Sequence, residues 1–309
     1  MMCGLKYILY GFPVIFALGF ISCADEEIDW DVEESPELLV VEGSFTNIKK
    51  RHRITLSRSA DYFTNQETDR VSGADVTISD GFTTYEFEEL KEKRGIYESE
   101  RKVAGRAGHT YTLNIHLQEP INNKTHYQAS EKMIEGIDLE GMEAFIYRNP
   151  FYQEGFPTDS LLLFVALYGN VPGNIDNLYM VDLYRNGELM QDTVDEKEIY
   201  SYGEQLDDDK YIHNLTFLEV FQPGDTAAIK ISTVTKSYQQ FIEGIQNIAD
   251  QSGNPFDLSG PPANAVGNIE GGEALGYFRV SYVSWAQSIV VDGREEKEID
   301  DGLISGSNR

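Results

Sequence analysis

From Thr110 to Leu117 the chain alternates polar and apolar residues, putting Tyr111, Leu113, Ile115 and Leu117 on one face. A period of two admits a half-buried strand and excludes an amphipathic helix. Arg53–Ser57 and Ala74–Ile78 alternate in the same way, and Leu38–Gly43 opens a short apolar strand. Asp80-Gly81 can turn a tight hairpin, because Gly accepts positive φ, and Thr84–Glu88 returns from it. Strands about eight to twelve residues apart, separated by Gly- and Asp-rich turns, constrain the chain to an all-β architecture. They predict a first antiparallel β-sandwich over residues 37–133.

The pattern breaks over 134–159, where Asn149-Pro150, Gly155 and Phe156-Pro157 predict a connecting loop. It resumes with the apolar run Ser160–Tyr168. Leu178–Tyr184 then leads into Asn186-Gly187, the strongest short hairpin signal in the chain. His213–Phe221 and Ala227–Val234 add two more strands. Residues 160–292 are therefore expected to form a second β-domain. Within it, Tyr238, Phe241, Ile242, Ile245, Ile248 and Ala249 recur at helical spacing, predicting an amphipathic helix over 237–251. Ser237 with Gln240 makes a candidate capping box. The expected fold class is mainly β: two tandem antiparallel β-sandwich (Ig-like) domains, one amphipathic helix attached to the second. The charged, then Gly/Ser-rich stretch 293–309 reads as a flexible tail.

The N-terminal segment carries a different signal. Lys6 precedes fifteen residues, Tyr7 to Ile21, that are mostly apolar and interrupted by Pro13. This is short of the roughly 20 residues that a spanning helix needs. Phe20-Ile21-Ser22-Cys23 resembles a lipobox, so residues 1–22 read as a lipoprotein signal peptide and Cys23 as the lipidated residue. Cleavage there would remove Cys3 and leave 287 residues with one cysteine and no internal disulfide. Two or three acyl chains would hold the protein on a membrane. Residues 23–36 read as an acidic tether: eight acidic residues and no basic one lie between Asp25 and Glu37.

The formal charge of −27 argues against nucleic acid, whose phosphates need clustered Lys and Arg. The five histidines form neither H-E-x-x-H nor a zinc spacing, and there is no nucleophile elbow, dinucleotide loop or phosphate loop. No cofactor and no metal site is expected. Asp207-Asp208-Asp209 lacks the spacing of a calcium loop and reads as a solvated turn. The expectation is a protein that is not an enzyme, although a spatially assembled hydrolase site leaves no local pattern.

The residues most suited to recognition are aromatics in the predicted connection: Tyr147, Phe151, Tyr152 and Phe156, with Phe145 beside them. Such rings can stack on a small-molecule or peptide ligand, dock on a partner, or plug the gap between two sandwiches. Asp159-Ser160-Leu161, Asp192-Thr193-Val194 and Asp225-Thr226-Ala227 match a short O-glycosylation pattern, Thr193 being the best placed.

A series of segments runs along the mature chain. It begins with Cys23 and its acidic follow-on, Leu39-Val40-Val41-Glu42-Gly43, Thr55–Phe63 and Val71–Val76. Gly95-Ile96-Tyr97, Gly108–Leu113, Asn254-Pro255-Phe256, Pro261–Asn264, Gly271-Gly272 and Ala274–Phe278 continue it. As a series these resemble a Bacteroidetes outer-membrane lipoprotein family catalogued as a domain of unknown function, encoded beside TonB-dependent transporters. In such proteins Ala24-Asp25-Glu26-Glu27 would be a signal for export to the cell surface; an ordinary acidic linker accounts for it equally. The resemblance implies a lipid-anchored, surface-exposed outer-membrane accessory of a TonB-dependent transporter, capturing a nutrient or forming part of a lid. A surface adhesion or assembly module is the alternative.

Overall fold

The computed structural model describes residues 36–59, 68–148, 161–172, 177–191, 193, 196–201, 211–217, 221–252 and 264–293. Cys23 and the tether, residues 149–160 with Phe151, Tyr152 and Phe156, Asp207–Asp209 and the tail after 293 lie outside them. Among the described residues the fold is mainly β, with a single helix.

The first sheet takes β1 (Leu39–Thr46), β2 (Arg53–Arg58), β3 (Asp75–Ser79), β4 (Thr84–Leu90), β5 (Lys93–Ser99), β6 (Thr110–Ile121) and β7 (Lys124–Lys132) from the N-terminal half. The second takes β8 (Asp138–Arg148), β9 (Leu161–Asn170), β10 (Leu178–Arg185), β11 (Glu188–Leu189), β12 (Glu198–Ser201), β13 (Tyr211–Phe217) and β14 (Thr226–Val234). Helix α1 (Lys236–Ser252) follows. Then β15 (Ala274–Ser281) returns to the first sheet and β16 (Val283–Asp292) to the second. Strand order is β15-β1-β2-β5-β4-β3-β6-β7 in one sheet and β11-β10-β14-β16-β8-β9-β13 in the other, with β12 also paired to β10.

Local chemistry explains the hairpins. In β6 the inward residues Tyr111, Leu113, Ile115 and Leu117 are buried, as their alternation predicts. Asn122 and Asn123 both adopt positive φ, which Asn tolerates, and join β6 to β7 with Ile121 paired to Lys124. Asn186-Gly187 makes the equivalent turn between β10 and β11. The helix falls where predicted, but its cap differs. Thr235 Oγ1 accepts the Tyr238 amide at 3.2 Å, while the Ser237 hydroxyl faces the Tyr277 hydroxyl at 2.7 Å.

Two features depart from the predicted boundaries. The expected loop 134–159 contains strand β8, whose Met142, Ala144 and Ile146 enter the second core. The expected second domain 160–292 gives β15 to the first sheet, parallel to β1 from Leu39↔Ala274 to Thr46↔Ser281. Phe278 and Val280 thereby join the first core. Each core is lined by strands of its own sheet, which curls round it in a barrel-like or half-barrel form. The Ig-like pairing of two sheets over a shared core is not confirmed.

Only Tyr282 separates β15 from β16, so one extended segment runs from the first sheet into the second. Gly276 lies within β15, opposite Val41, at a φ of 89°. A Cβ there would stand 2.1 Å from the Val41 carbonyl oxygen, so only Gly permits the approach. At the crossing, Val283 N–H donates to Asn47 Oδ1 at 2.7 Å and Asn47 Nδ2 donates to the Val283 carbonyl at 3.1 Å. The carboxamide thus mimics a strand neighbour where both sheets end. Asn47→Ala should cost about 1–3 kcal/mol by orphaning the amide of buried Val283. Urea unfolding checks this; a midpoint equal to wild type would deny Asn47 the clamp.

Candidate aromatic and cationic face of the second sheet

The outward side of the second sheet carries an arrangement set by strand register. Lys230 on β14 stands opposite Asp182 on β10 and opposite Trp285 on β16. Lys197, just before β12, reaches the other side of Asp182, with Nζ 2.8 Å from Oδ1. Lys230 Nζ pairs with Asp182 Oδ2. A cross-strand row Lys197–Asp182–Lys230–Trp285 results.

Asp182 is 1% exposed, and its two lysines satisfy both carboxylate oxygens. Burial works against its ionisation, but Lys230 and Lys197 more than offset that, and its pKa lies below the ordinary carboxylate value. Lys230 also donates to the Tyr184 hydroxyl at 3.4 Å and lies 5.8 Å from the Tyr184 ring centre and 5.5 Å from that of Trp285. Tyr184 and Trp285 tilt together with centres 4.9 Å apart. A cation among aromatic faces is attracted by their quadrupoles. The lysine is thus fixed, and the indole is propped outward.

Along β16 every second residue from Trp285 faces outward: Trp285, Ile289 and Val291 are 45%, 55% and 41% exposed, with the polar Gln287 exposed between Trp285 and Ile289. Val291 pairs with Phe145 on β8. There the predicted candidate Tyr147, 37% exposed, meets its neighbours. Its ring is 6.4 Å from Phe145 and, edge-on, 6.1 Å from Phe164 on β9. Tyr147 is therefore a strand residue on an open sheet face, not a loop residue. Phe151, Tyr152 and Phe156 fall outside the described residues, so the structure joins Tyr147 to a different set of aromatics.

Sequence reasoning missed Asp182, Lys197, Lys230, Tyr184 and Trp285. A signal existed for two of them: Asp182 and Lys230 are lone charges inside otherwise apolar strands, Tyr179–Tyr184 and Ala227–Ile231. Such a charge needs a buried partner.

Other candidates carry less. A cleft of about 470 Å³ beside the start of α1 is lined by Ile134, Asn177, Leu178, Val234, Lys236 and Gln239 among others. His116 and His126 face each other across β6 and β7 with ring centres 6.2 Å apart. Among the described residues no three His, Cys, Asp or Glu side chains converge as a metal site, and no helix is long and apolar enough to cross a membrane.

These features define a mainly β protein of two curled sheets, strapped together by one extended C-terminal segment and bearing an open aromatic face. Residues 25–285 match the model of the family described as domain of unknown function (DUF4249), and the chain belongs to that family. No curated protein sequence matches it.

Proposed function

We propose that this is a non-enzymatic lipoprotein of the outer membrane of a Bacteroidetes cell, anchored through Cys23 and exposed at the surface. In this reading it assists a TonB-dependent transporter, by capturing a nutrient or by forming part of a lid. The lipobox and the acidic residues after it support the anchor. The observation that carries the binding role is the open row Trp285, Ile289, Val291 and Tyr147 on the second sheet. Several large apolar side chains exposed on one sheet face are the kind of surface that marks interaction sites.

Affinity capture from detergent-solubilised outer membrane tests the partnership. Co-purification of a β-barrel transporter is the expected result; recovery of a fibre subunit instead would favour an adhesion or assembly module. The anchor has its own test. Cys23→Ala should abolish labelling by a fatty-acid probe and release the protein from the membrane fraction. A variant that stays labelled and membrane-bound would overturn the lipoprotein reading. Protease treatment of intact cells should remove the protein, whereas protection until the outer membrane is opened would place it on the periplasmic side.

A further inference from the structure

Two of the chain's five histidines meet on the outward face of the first sheet. His52 is buried, with Nε2 3.1 Å from the Val103 carbonyl oxygen. His109 stacks on Tyr111 and faces Asp80 at 4.0 Å. His116 and His126 are different. Strand register sets them directly opposite each other on β6 and β7, both exposed, with ring centres 6.2 Å apart and planes 51° from parallel. Among the described residues neither imidazole makes a hydrogen bond or an ion pair, so their nitrogens are free for a ligand.

The backbone beneath them is fixed. Ile115 and Leu117 on either side of His116, and Tyr127 beside His126, are buried in the first core. The Tyr127 hydroxyl donates to the Ile121 carbonyl at 3.0 Å and ties the hairpin across its irregular register. Opposite residues of an antiparallel pair have Cβ atoms about 4.5–5.5 Å apart. Two imidazoles that share a tetrahedral ion at about 2.0–2.1 Å have ring centres about 5 Å apart. Closing the pair from 6.2 Å therefore needs only a small adjustment of side-chain torsions and no movement of the strands.

The surroundings favour a cation. Asp75 on β3 stands opposite His116 on the side away from His126, and it is exposed. Beyond β7, the exposed Glu270 bridges to Gln128, two residues along the outward face from His126. Each flank of the histidine pair thus carries a carboxylate. Lys124, the next outward residue in the other direction, lies along Gly272 at the sheet edge, where an added Cβ would meet its Cγ at 2.9 Å. The net charge of −27 adds a general attraction for cations.

The donor set selects the ion. Imidazole suits Cu²⁺, Ni²⁺ and Zn²⁺, whereas Ca²⁺ and Mg²⁺ take oxygen ligands. Among the described residues no third His, Cys, Asp or Glu side chain converges on the pair. Positions are therefore left to water, which makes such a site exchangeable, unlike a closed structural site of four protein ligands.

We propose that His116 and His126 form a capture site for a divalent transition-metal ion, held between one nitrogen of each imidazole, with Asp75 and Glu270 adding negative charge from either flank. The two histidines lie on opposite arms of a hairpin, so no metal-ligand spacing along the chain announces them. The site needs neither the membrane anchor nor a transporter.

The test uses the full chain, purified in detergent without a histidine tag, and Cu²⁺, Zn²⁺ and Ca²⁺ as probes. Calorimetry should show one Cu²⁺ site, tighter than for Zn²⁺ and far tighter than for Ca²⁺. Electron paramagnetic resonance of the Cu²⁺ form should show coupling to nitrogen. His116→Ala and His126→Ala should each weaken Cu²⁺ binding at least about tenfold, and the double variant should lose the nitrogen coupling. The metal-free melting temperature should not change in any of them, because both side chains are exposed. No saturable Cu²⁺ site at millimolar metal, full-strength binding in either single variant, or nitrogen coupling that survives in the double variant would each overturn the proposal. Ca²⁺ bound as tightly as Cu²⁺ would mean carboxylate binding and would overturn it too. None of these readouts involves a membrane or a transporter, so the proposed function stands or falls on its own test.

Discussion

Asp182→Ala should lower the unfolding free energy by about 3–5 kcal/mol, because it leaves two largely enclosed lysines facing each other without their counter-ion. Lys197 and Lys230 side chains are 14% and 17% exposed, so water can compensate only in part. Removing one member of a buried ionic group costs more than removing the group. Replacing Asp182, Lys197 and Lys230 together with Leu, Met and Met should therefore recover most of the loss. Chemical denaturation of the single and triple variants checks both statements; a triple variant as weak as the single one would mean that packing, not charge, was lost. The pH dependence has a definite sign. Asp182 titrates below its unfolded value of 3.8, so the stability its ionisation supplies is present above that pH. It is lost as pH falls through the lower folded value. The advantage of wild type over Asp182→Asn should shrink in that acid window and be constant above it.

Glu131→Leu should be comparably damaging for a different reason. Glu131 sits on edge strand β7, 6% exposed, facing edge strand β15. Its Oε2 accepts the Val280 amide at 2.6 Å, and its Oε1 accepts the Tyr277 hydroxyl at 2.8 Å and the Thr235 hydroxyl. With the Gln128–Glu270 backbone bridge, these bonds draw the two ends of the first sheet together. Leucine would orphan three enclosed donors at about 1–3 kcal/mol each, less whatever the hydroxyls recover by rotating towards each other. Burial, only partly opposed by those donors, raises the Glu131 pKa, and burial with the nearby carboxylate pushes Tyr277 up to about 12. Here the sign is opposite to that of Asp182. A raised folded pKa favours the protonated native state, so stability is fully present below the unfolded value of 4.5. It declines as pH rises through the raised folded value. Glu131→Gln stays neutral and keeps one acceptor for Val280, so it should gain on wild type across that window. Melting temperatures of both proteins from pH 4 to pH 8 measure it, and parallel curves would deny Glu131 any role in the pH response.

The contrast between these residues shows what a sequence can carry. Hairpins closed by Asn186-Gly187 and the alternation of β6 were legible because the cause lies within a few residues. Helix α1 was legible for the same reason. The β1–β15 pairing was not, since a parallel partner far along the chain leaves no local mark. Strand β8 was hidden by Gly141 and by charges on its outward positions, which imitate a loop. Tyr147 was singled out from composition, but its setting with Phe145, Phe164 and Val291 depends on register across β9, β8 and β16. Asp182 and Lys230 were readable as lone charges in apolar strands, yet only the sheet order says that they meet.

The parallel pairing of β1 with β15 bears on how a nascent chain reaches this fold. The first core is built almost wholly from residues before 134, and those leave the ribosome, and any export channel, first. Strand β1 must nonetheless wait for Ala274–Ser281 before its second edge is covered. Until then Leu39 and Val41 border an open strand, a template for pairing with another copy. Contacts of such sequence separation also close slowly, because the loop entropy is lost before the contact repays it. A chain truncated before Ala274 should accordingly aggregate, not persist as a half-sized folded module, and a holding chaperone would act most usefully on the β1 edge.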